Sequence, residues 1–332
     1  MSVPRTSDKN HPSASSIVVP SKEGGNKVIG SCNREQWYRR KGFTPTEDRN
    51  LNWEMAAIQG NYLHEMLTDL LTEHGMQLGI QRLAVESSIY ESIIKLSGRI
   101  DFLGYDHHNE EVIGIELKSV GDYKSKKCLE YPDPTHILQS MLYLNHYQKH
   151  IPKGQKRPEK WYIWYIARGE NWDLKGRKQL SPFVQLWDFY ITLEGKDSHA
   201  VVHTPNGKVV ENDLTISGIW DRYDALNKAD YGNSLPPRDF EIKYSEERLA
   251  GLYKLGLIEF KKDKEPIAKW LGKGAPKGEL NVIMGDAACR FCSYSSTCWG
   301  LTEETSGHKS ESTYNFPVET KKEPRTTEVD IL

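Results

Sequence analysis

No run of about 18 or more apolar residues occurs anywhere in the 332-residue sequence, which excludes a transmembrane helix as its organising element. The opening MSVPRTSDKNHPSASSIVVPSKEGG lacks the apolar stretch of a secretory signal, so a cytoplasmic, reducing compartment is expected and no membrane partner. An excess of one charge is lacking too. Lys and Arg number 44 against 46 Asp and Glu, a formal net charge of −2, so no global basic field points to a polyanion. No Gly-x4-Gly-Lys-Ser/Thr phosphate loop is present, so this chain is not its own nucleotide-driven motor. No internal repeat is visible. Cysteine is scarce, with five in all, and in a reducing compartment clustered cysteines hold metal more often than they form disulfides.

Local basic runs offset the balanced total: Arg39, Arg40 and Lys41; Lys124, Lys126 and Lys127; Arg168, Lys175, Arg177 and Lys178. Each run alone reads first as a solvated surface, although a local groove can be basic within a neutral whole. Residues 1–28 are rich in Ser, Pro, Gly and Lys and read as a disordered tail, as does 302–332. Between them, 29–301 reads as one domain. NWEMAAIQGNYLHEMLTDLLTEHG carries apolar residues at helical spacing and ends on Gly75. LAVESSIY, IKLSGRIDFLGY and EVIGIELKSV read as strands, the last two joined by the polar turn DHHNEE. PTHILQSMLYLNHYQKH reads as a helix started by Pro134 and Thr135, followed by the aromatic-rich strands KWYIWYIAR and FVQLWDFYITL. ENDLTISGIWDRYDALNKA and SEERLAGLYKLGLIEFKKD read as amphipathic helices. The order predicts an α/β core, with 169–212 as an elaboration on it.

The hairpin holds the most chemically pointed residues. Asp101 lies in one strand, Glu116 and Lys118 in the next. Residues two apart in a strand share a face, so Glu116 and Lys118 project together, and pairing through the turn lets Asp101 face them. All three are flanked by apolar residues (Ile100, Phe102, Ile115, Leu117), and charge inside an apolar strand needs a reason. Two carboxylates and a lysine suit a hard divalent cation, Mg²⁺ or Mn²⁺, beside a phosphodiester. The lysine would orient or help deprotonate water, or stabilise charge on the phosphate. The alternative is a plain surface ion pair. Glu86 is a candidate additional acid.

Three of the five cysteines form Cys289-x2-Cys292-x5-Cys298. A Cys-x2-Cys pair readily places two thiolates on one metal centre, and a fourth ligand would come from Cys32 or Cys128. Four thiolates suit either zinc or an iron–sulfur cluster.

Asp101 followed after a hairpin by Glu116-Leu117-Lys118 resembles the signature of the PD-(D/E)xK nuclease superfamily. The histidine of GNYLHEML and the Gln-x3-Tyr of LQSMLY extend the resemblance to the RecB-like branch, over roughly residues 50 to 150. Asp101 is preceded by Ile100, so the "PD" pair itself is absent. The resemblance implies a restriction-endonuclease-like α/β core, with a mixed central sheet flanked by helices. It implies His64, Asp101, Glu116 and the main chain at Leu117 as metal ligands, Lys118 as the catalytic lysine, and Gln139 and Tyr143 as contacts to the DNA backbone. Iron–sulfur members of the branch, such as the AddB nuclease domain and CRISPR-associated RecB-like exonucleases, carry one cysteine before the histidine helix and three after the core. That implies a [4Fe–4S] cluster on Cys32, Cys289, Cys292 and Cys298, joining the N- and C-terminal segments, with Zn²⁺ as the rival occupant. The implied activity is a Mg²⁺- or Mn²⁺-dependent DNA exonuclease acting on single strands or free ends in recombination, replication, repair or CRISPR adaptation. A helicase, recombinase or CRISPR integrase is the implied protein partner. The alternative is an inactive nucleic-acid-binding or assembly subunit stabilised by a four-cysteine metal site.

Overall fold

A computed structural model describes residues 16–45, 51–92, 96–121, 127–128, 130–168, 171–172, 178–179, 186–258, 260–272, 284–290 and 292–300. The expected tails before residue 16 and after residue 300 lie outside the described residues. So do Lys124, Lys126, Lys175 and Arg177 of the basic runs and the side chains of Arg168 and Lys178.

Along the chain, β1 (Ser16–Pro20) and β2 (Asn26–Gly30) form a hairpin, followed by α1 (Asn33–Arg40) and the long α2 (Leu51–His74), which ends in a 3-10 turn. Then come β3 (Ile80–Val85), β4 (Ser88–Glu91), β5 (Leu96–Arg99), β6 (Phe102–Asp106) and β7 (Glu111–Gly121). Next are α3 (Pro134–His150), β8 (Pro158–Arg168), the two-residue strands β9 (Asn171–Trp172) and β10 (Lys178–Gln179), β11 (Leu186–Glu194), β12 (His199–His203) and β13 (Val209–Thr215). The helices α4 (Ile216–Tyr231), α5 (Glu246–Lys254), α6 (Lys261–Gly272), α7 (Ala287–Arg290) and α8 (Ser295–Trp299) complete the order. No helix among the described residues is long and apolar enough to cross a membrane.

The chain folds as two compact units. The larger takes in the described residues of His11–Cys32 and Arg49–Ser234, the smaller those of Asn33–Asp48 and Leu235–Leu332. The larger unit is α/β, built on a mixed seven-stranded sheet of order β13-β12-β11-β8-β7-β6-β3. Every neighbouring pair is antiparallel except β7 and β8. A parallel pair cannot be closed by a tight turn, and α3 lies in the crossover between these two strands. The interior strand β7 is buried on both faces, which accounts for its unbroken run Val112-Ile113-Gly114-Ile115-Glu116-Leu117. Ile113, Ile115 and Leu117 pack with Phe102 and with Leu71 of α2. Trp161, Tyr165 and Phe189 are fully buried, as are Ile137, Leu138, Met141 and Leu144 of α3. Each such side chain contributes about 1.5–3 kcal/mol through burial. Gly114 is paired with Trp161 in the sheet, and a Cβ there would run into the indole ring.

Several sequence expectations change here. Residues 16–28, expected within a disordered tail, belong to the hairpin Ser16–Gly30: Ile17 and Val19 are buried, and Ser16 donates to the Ser31 carbonyl at 2.9 Å while accepting from Arg222 Nε at 3.0 Å. A short run of β-branched residues, Ile17-Val18-Val19, outweighs a polar composition averaged over twenty or so. LAVESSIY and IKLSGRIDFLGY each split into two strands, broken at Glu86 and Asp101. The segment Glu211–Thr215, read as the start of a helix, continues β13; Thr215 caps α4 by accepting from the Gly218 amide at 3.1 Å. The helix expected over SEERLAGLYKLGLIEFKKD stops at Lys254, where Gly256 adopts φ 70°, and a second helix starts at Lys261. The elaboration at 169–212 supplies β11, β12 and part of β13, an antiparallel edge of the main sheet.

In the smaller unit, α1 joins the C-terminal segments. The Asn33 amide donates to Asp239 Oδ2 at 2.7 Å, and Arg34 Nε donates to the Pro236 carbonyl at 2.7 Å. Leu249, Leu252, Ile258 and Ile267 form its apolar cluster. Asp286 holds a turn, accepting from the Glu241 amide and the Tyr244 hydroxyl at 2.7 and 2.6 Å.

Candidate functional site

Four elements of the larger unit converge around Asp101. The helix α2 carries His64 in its middle, half-buried. Glu86 follows the end of β3 with φ 48°, a left-handed conformation that a non-glycine residue adopts at a cost of about 1–3 kcal/mol and that recurs at functional sites. Its amide donates to the Asp101 carbonyl at 3.2 Å, which fixes both residues at their chain breaks. Asp101 occupies the bend between β5 and β6 and is buried. Its Oδ2 accepts from the Leu117 amide at 2.7 Å, so the hairpin register seen in the sequence does bring Asp101 against the Glu116-Leu117-Lys118 segment. Its Oδ1 lies 2.8 Å from His64 Nε2. His64 Nδ1 approaches Glu86 Oε1 to 3.2 Å, close enough for ion pairing but outside hydrogen-bond geometry. His64, Glu86 and Asp101 thus gather potential ligand atoms within 4.8 Å of one another.

Glu116 is completely buried in β7. One carboxylate oxygen pairs with Lys118 Nζ. The other, Oε2, has no hydrogen-bond partner among the described residues. Burial, and then the neighbouring charge of Asp101, push the Glu116 pKa up to about 8 against the opposing pull of Lys118 and His64. For Lys118, burial alone would lower the pKa. The carboxylates of Glu116 and Asp101 and the hydrogen bond to Glu116 outweigh it, and the net shift is upward, so the ammonium form is favoured. Glu86 Oε2 lies 3.4 Å from the half-exposed Arg99.

Gln139 and Tyr143 share one face of α3. Tyr143 donates to the Arg99 carbonyl at 2.8 Å, and Gln139 Nε2 donates to the Tyr143 hydroxyl at 2.9 Å. Tyr143 is 2% exposed. Its hydroxyl is engaged two residues before Asp101 and its ring packs against Gly98, where a Cβ would come within 2.9 Å of Cε1. It positions the β5 end of the site. Burial, followed by the charge of Glu116, raises its pKa well above the ordinary tyrosine value. Asp133, near Lys118, caps α3 by accepting from the Thr135 amide at 2.9 Å.

Cys289, Cys292 and Cys298 lie in the smaller unit, Cys32 in the larger. Two of the three C-terminal sulfurs accept from nitrogen donors: Cys292 Sγ from the Tyr294 amide at 3.4 Å and Cys298 Sγ from Arg34 Nη1 at 3.8 Å. Arg238 donates to the Cys298 carbonyl at 2.6 Å and stacks on Trp299, while Tyr38 stacks on Tyr294. Donors aimed at sulfur are the surroundings that ligating thiolates have. Cys128, left without a role by the sequence, is buried beside Tyr165.

A second group was missed from the sequence. Glu91, His146 and His150 also place potential ligand atoms within 4.8 Å of one another. The signal was present as His-x3-His on α3, a spacing that puts both rings on one helix face. A scan against protein-family models finds no match to the chain, and comparison with curated proteins finds none either.

Proposed function

We propose that the larger unit is a Mg²⁺- or Mn²⁺-dependent deoxyribonuclease with a restriction-endonuclease-like core. The observation that carries this reading is the fully buried Glu116, whose Oε2 lacks a partner among the described residues, beside Asp101, His64 and Lys118. A buried carboxylate oxygen left without a donor costs about 1–3 kcal/mol, and two carboxylates crowded together resist joint ionisation. A divalent cation relieves both penalties, and a set of carboxylate oxygens with one imidazole fits a hard or borderline ion. Asp101, Glu116 and His64 would hold it, with Glu86 at the rim. When bound, such an ion supplies Lewis acidity to a phosphodiester and acidifies water.

The protein's own groups have separable tasks. The upward shift of Lys118 makes it a hydrogen-bond donor to negative charge building on the phosphate, rather than a base. His64 and the Leu117 amide fix the two oxygens of Asp101, and Tyr143 holds the chain leading into it. Fixed geometry of this kind is what lets a site act without reorganising. Single-stranded DNA or free DNA ends remain the proposed substrate. A [4Fe–4S] cluster, or zinc, on the four cysteines and a helicase, recombinase or CRISPR-integrase partner belong to the same proposal. Lys118→Ala is expected to abolish Mn²⁺-dependent cleavage of labelled DNA while leaving DNA binding in place; normal cleavage by that variant refutes the assignment.

A further inference from the structure

We propose that Glu91, His146 and His150 form a second cation site, separate from the one around Asp101 and suited to Zn²⁺. Two imidazoles and one carboxylate are a borderline donor set that favours zinc over Mg²⁺, which prefers an all-oxygen shell. His146 and His150 stand one turn apart on α3, the spacing by which helices present two histidines to one zinc ion. Both aim at the same atom: His146 Nδ1 lies 2.7 Å and His150 Nε2 3.2 Å from Glu91 Oε1. Their rings are 4.4 Å apart. Zinc bonds of about 2.0–2.2 Å in a tetrahedral arrangement need ligand atoms roughly 3.3 Å apart, so the two histidine–carboxylate distances accept the ion by opening about half an ångström or less.

Three further observations favour a bound cation over a bare ion pair. Glu91 is 7% exposed, and a carboxylate removed from water needs compensating positive charge. Without a cation, both rings compete for one oxygen. The group also sits at the carboxyl end of α3, where the helix dipole favours positive charge. His150 is 55% exposed and provides the entry path and an open fourth position for water. The site would tie β4 to the end of α3. The hairpin of β4 with β5 leads through Arg99 to Asp101, and α3 carries Gln139 and Tyr143, so the ion would clamp together two elements that shape the first site. The inference rests on these three residues and their geometry and does not depend on the nuclease reading.

The test uses the full chain, stripped of metal and dialysed against limiting Zn²⁺ in excess Mg²⁺, with bound zinc counted and the thermal midpoint recorded. His150→Ala is the deciding variant because this exposed ring is dispensable for folding; Glu91→Gln is the second. Asp101→Asn and Cys298→Ser mark zinc held at the other two places. The expected result is that His150→Ala and Glu91→Gln each bind one zinc fewer than the wild type, or bind it at least about tenfold more weakly. Both should also lose the zinc-induced rise in midpoint, while Asp101→Asn keeps it. Cobalt bound at this site should lack sulfur-to-metal charge-transfer absorption. Equal zinc content and an equal midpoint rise in wild type and His150→Ala overturn the proposal.

Discussion

The two histidine–carboxylate groups of the larger unit differ in what is left uncompensated. Around Glu91, one oxygen of a buried carboxylate faces a nitrogen of each of two imidazoles. Around Asp101, a second buried carboxylate has an oxygen with no donor among the described residues, a lysine is held in its charged form, and a non-glycine residue sits in a left-handed conformation at the rim. A pair of histidines and one carboxylate ties two elements together. Two buried carboxylates beside a lysine, with a perturbed pKa among them, are the kind of group that acts on something else.

The largest expected difference between the groups is in cleavage. Asp101→Asn keeps an oxygen for the Leu117 amide but removes the charge; Mn²⁺-dependent hydrolysis should fall by about 10³-fold or more. The counterpart, Glu91→Gln, should instead appear in melting, as a drop of about 2–4 °C per kcal/mol lost. Comparable rate losses in both variants would erase the distinction.

A second break comes from pH. Glu116 has a folded-state pKa raised from an ordinary 4.5 to about 8, so the fold favours its protonated form. That stabilisation is complete below the unfolded value and is lost as pH rises through the folded one. In metal-free protein, Glu116→Gln should therefore melt higher than wild type at pH 8, by at least about 2 °C. The gap should shrink towards pH 4.5, and saturating Mn²⁺ should close or reverse it. A gap that grows on acidification would contradict the sign.

Packing gives smaller effects. Gly114→Ala pushes a methyl group into Trp161 and should cost about 1–3 kcal/mol in denaturant melts. Tyr143→Phe loses the hydrogen bond to the Arg99 carbonyl and the one accepted from Gln139, about 1 kcal/mol each, and should lower kcat a few-fold with KM little changed if positioning is its role.

These contrasts also explain what the sequence could tell. The helices Leu51–His74 and Pro134–His150 were legible because apolar periodicity and terminal signals agree there. The β6–β7 hairpin was legible because a polar turn separates two apolar runs, and it places Asp101 beside Leu117 with only local pairing. Contacts between distant segments were not legible. The burial of Tyr143 depends on Arg99 and Gly98, and Glu91 meets its histidines across the β4–β5 hairpin and α3, which no single window of sequence contains. The β1–β2 hairpin was hidden by its polar surroundings, because Ile17 and Val19 are its buried apolar residues and the third buried residue is Ser16. The smaller unit draws on two separate stretches of chain, so its boundary has no linker to announce it.

The most direct test of the central claim is hydrolysis of end-labelled single- and double-stranded DNA with Mn²⁺, comparing wild type with Lys118→Ala at equal DNA occupancy. The account predicts metal-dependent shortening by the wild type and a loss of about 10³-fold in the variant. No cleavage by the wild type with either Mn²⁺ or Mg²⁺, or equal cleavage by both proteins, would contradict it.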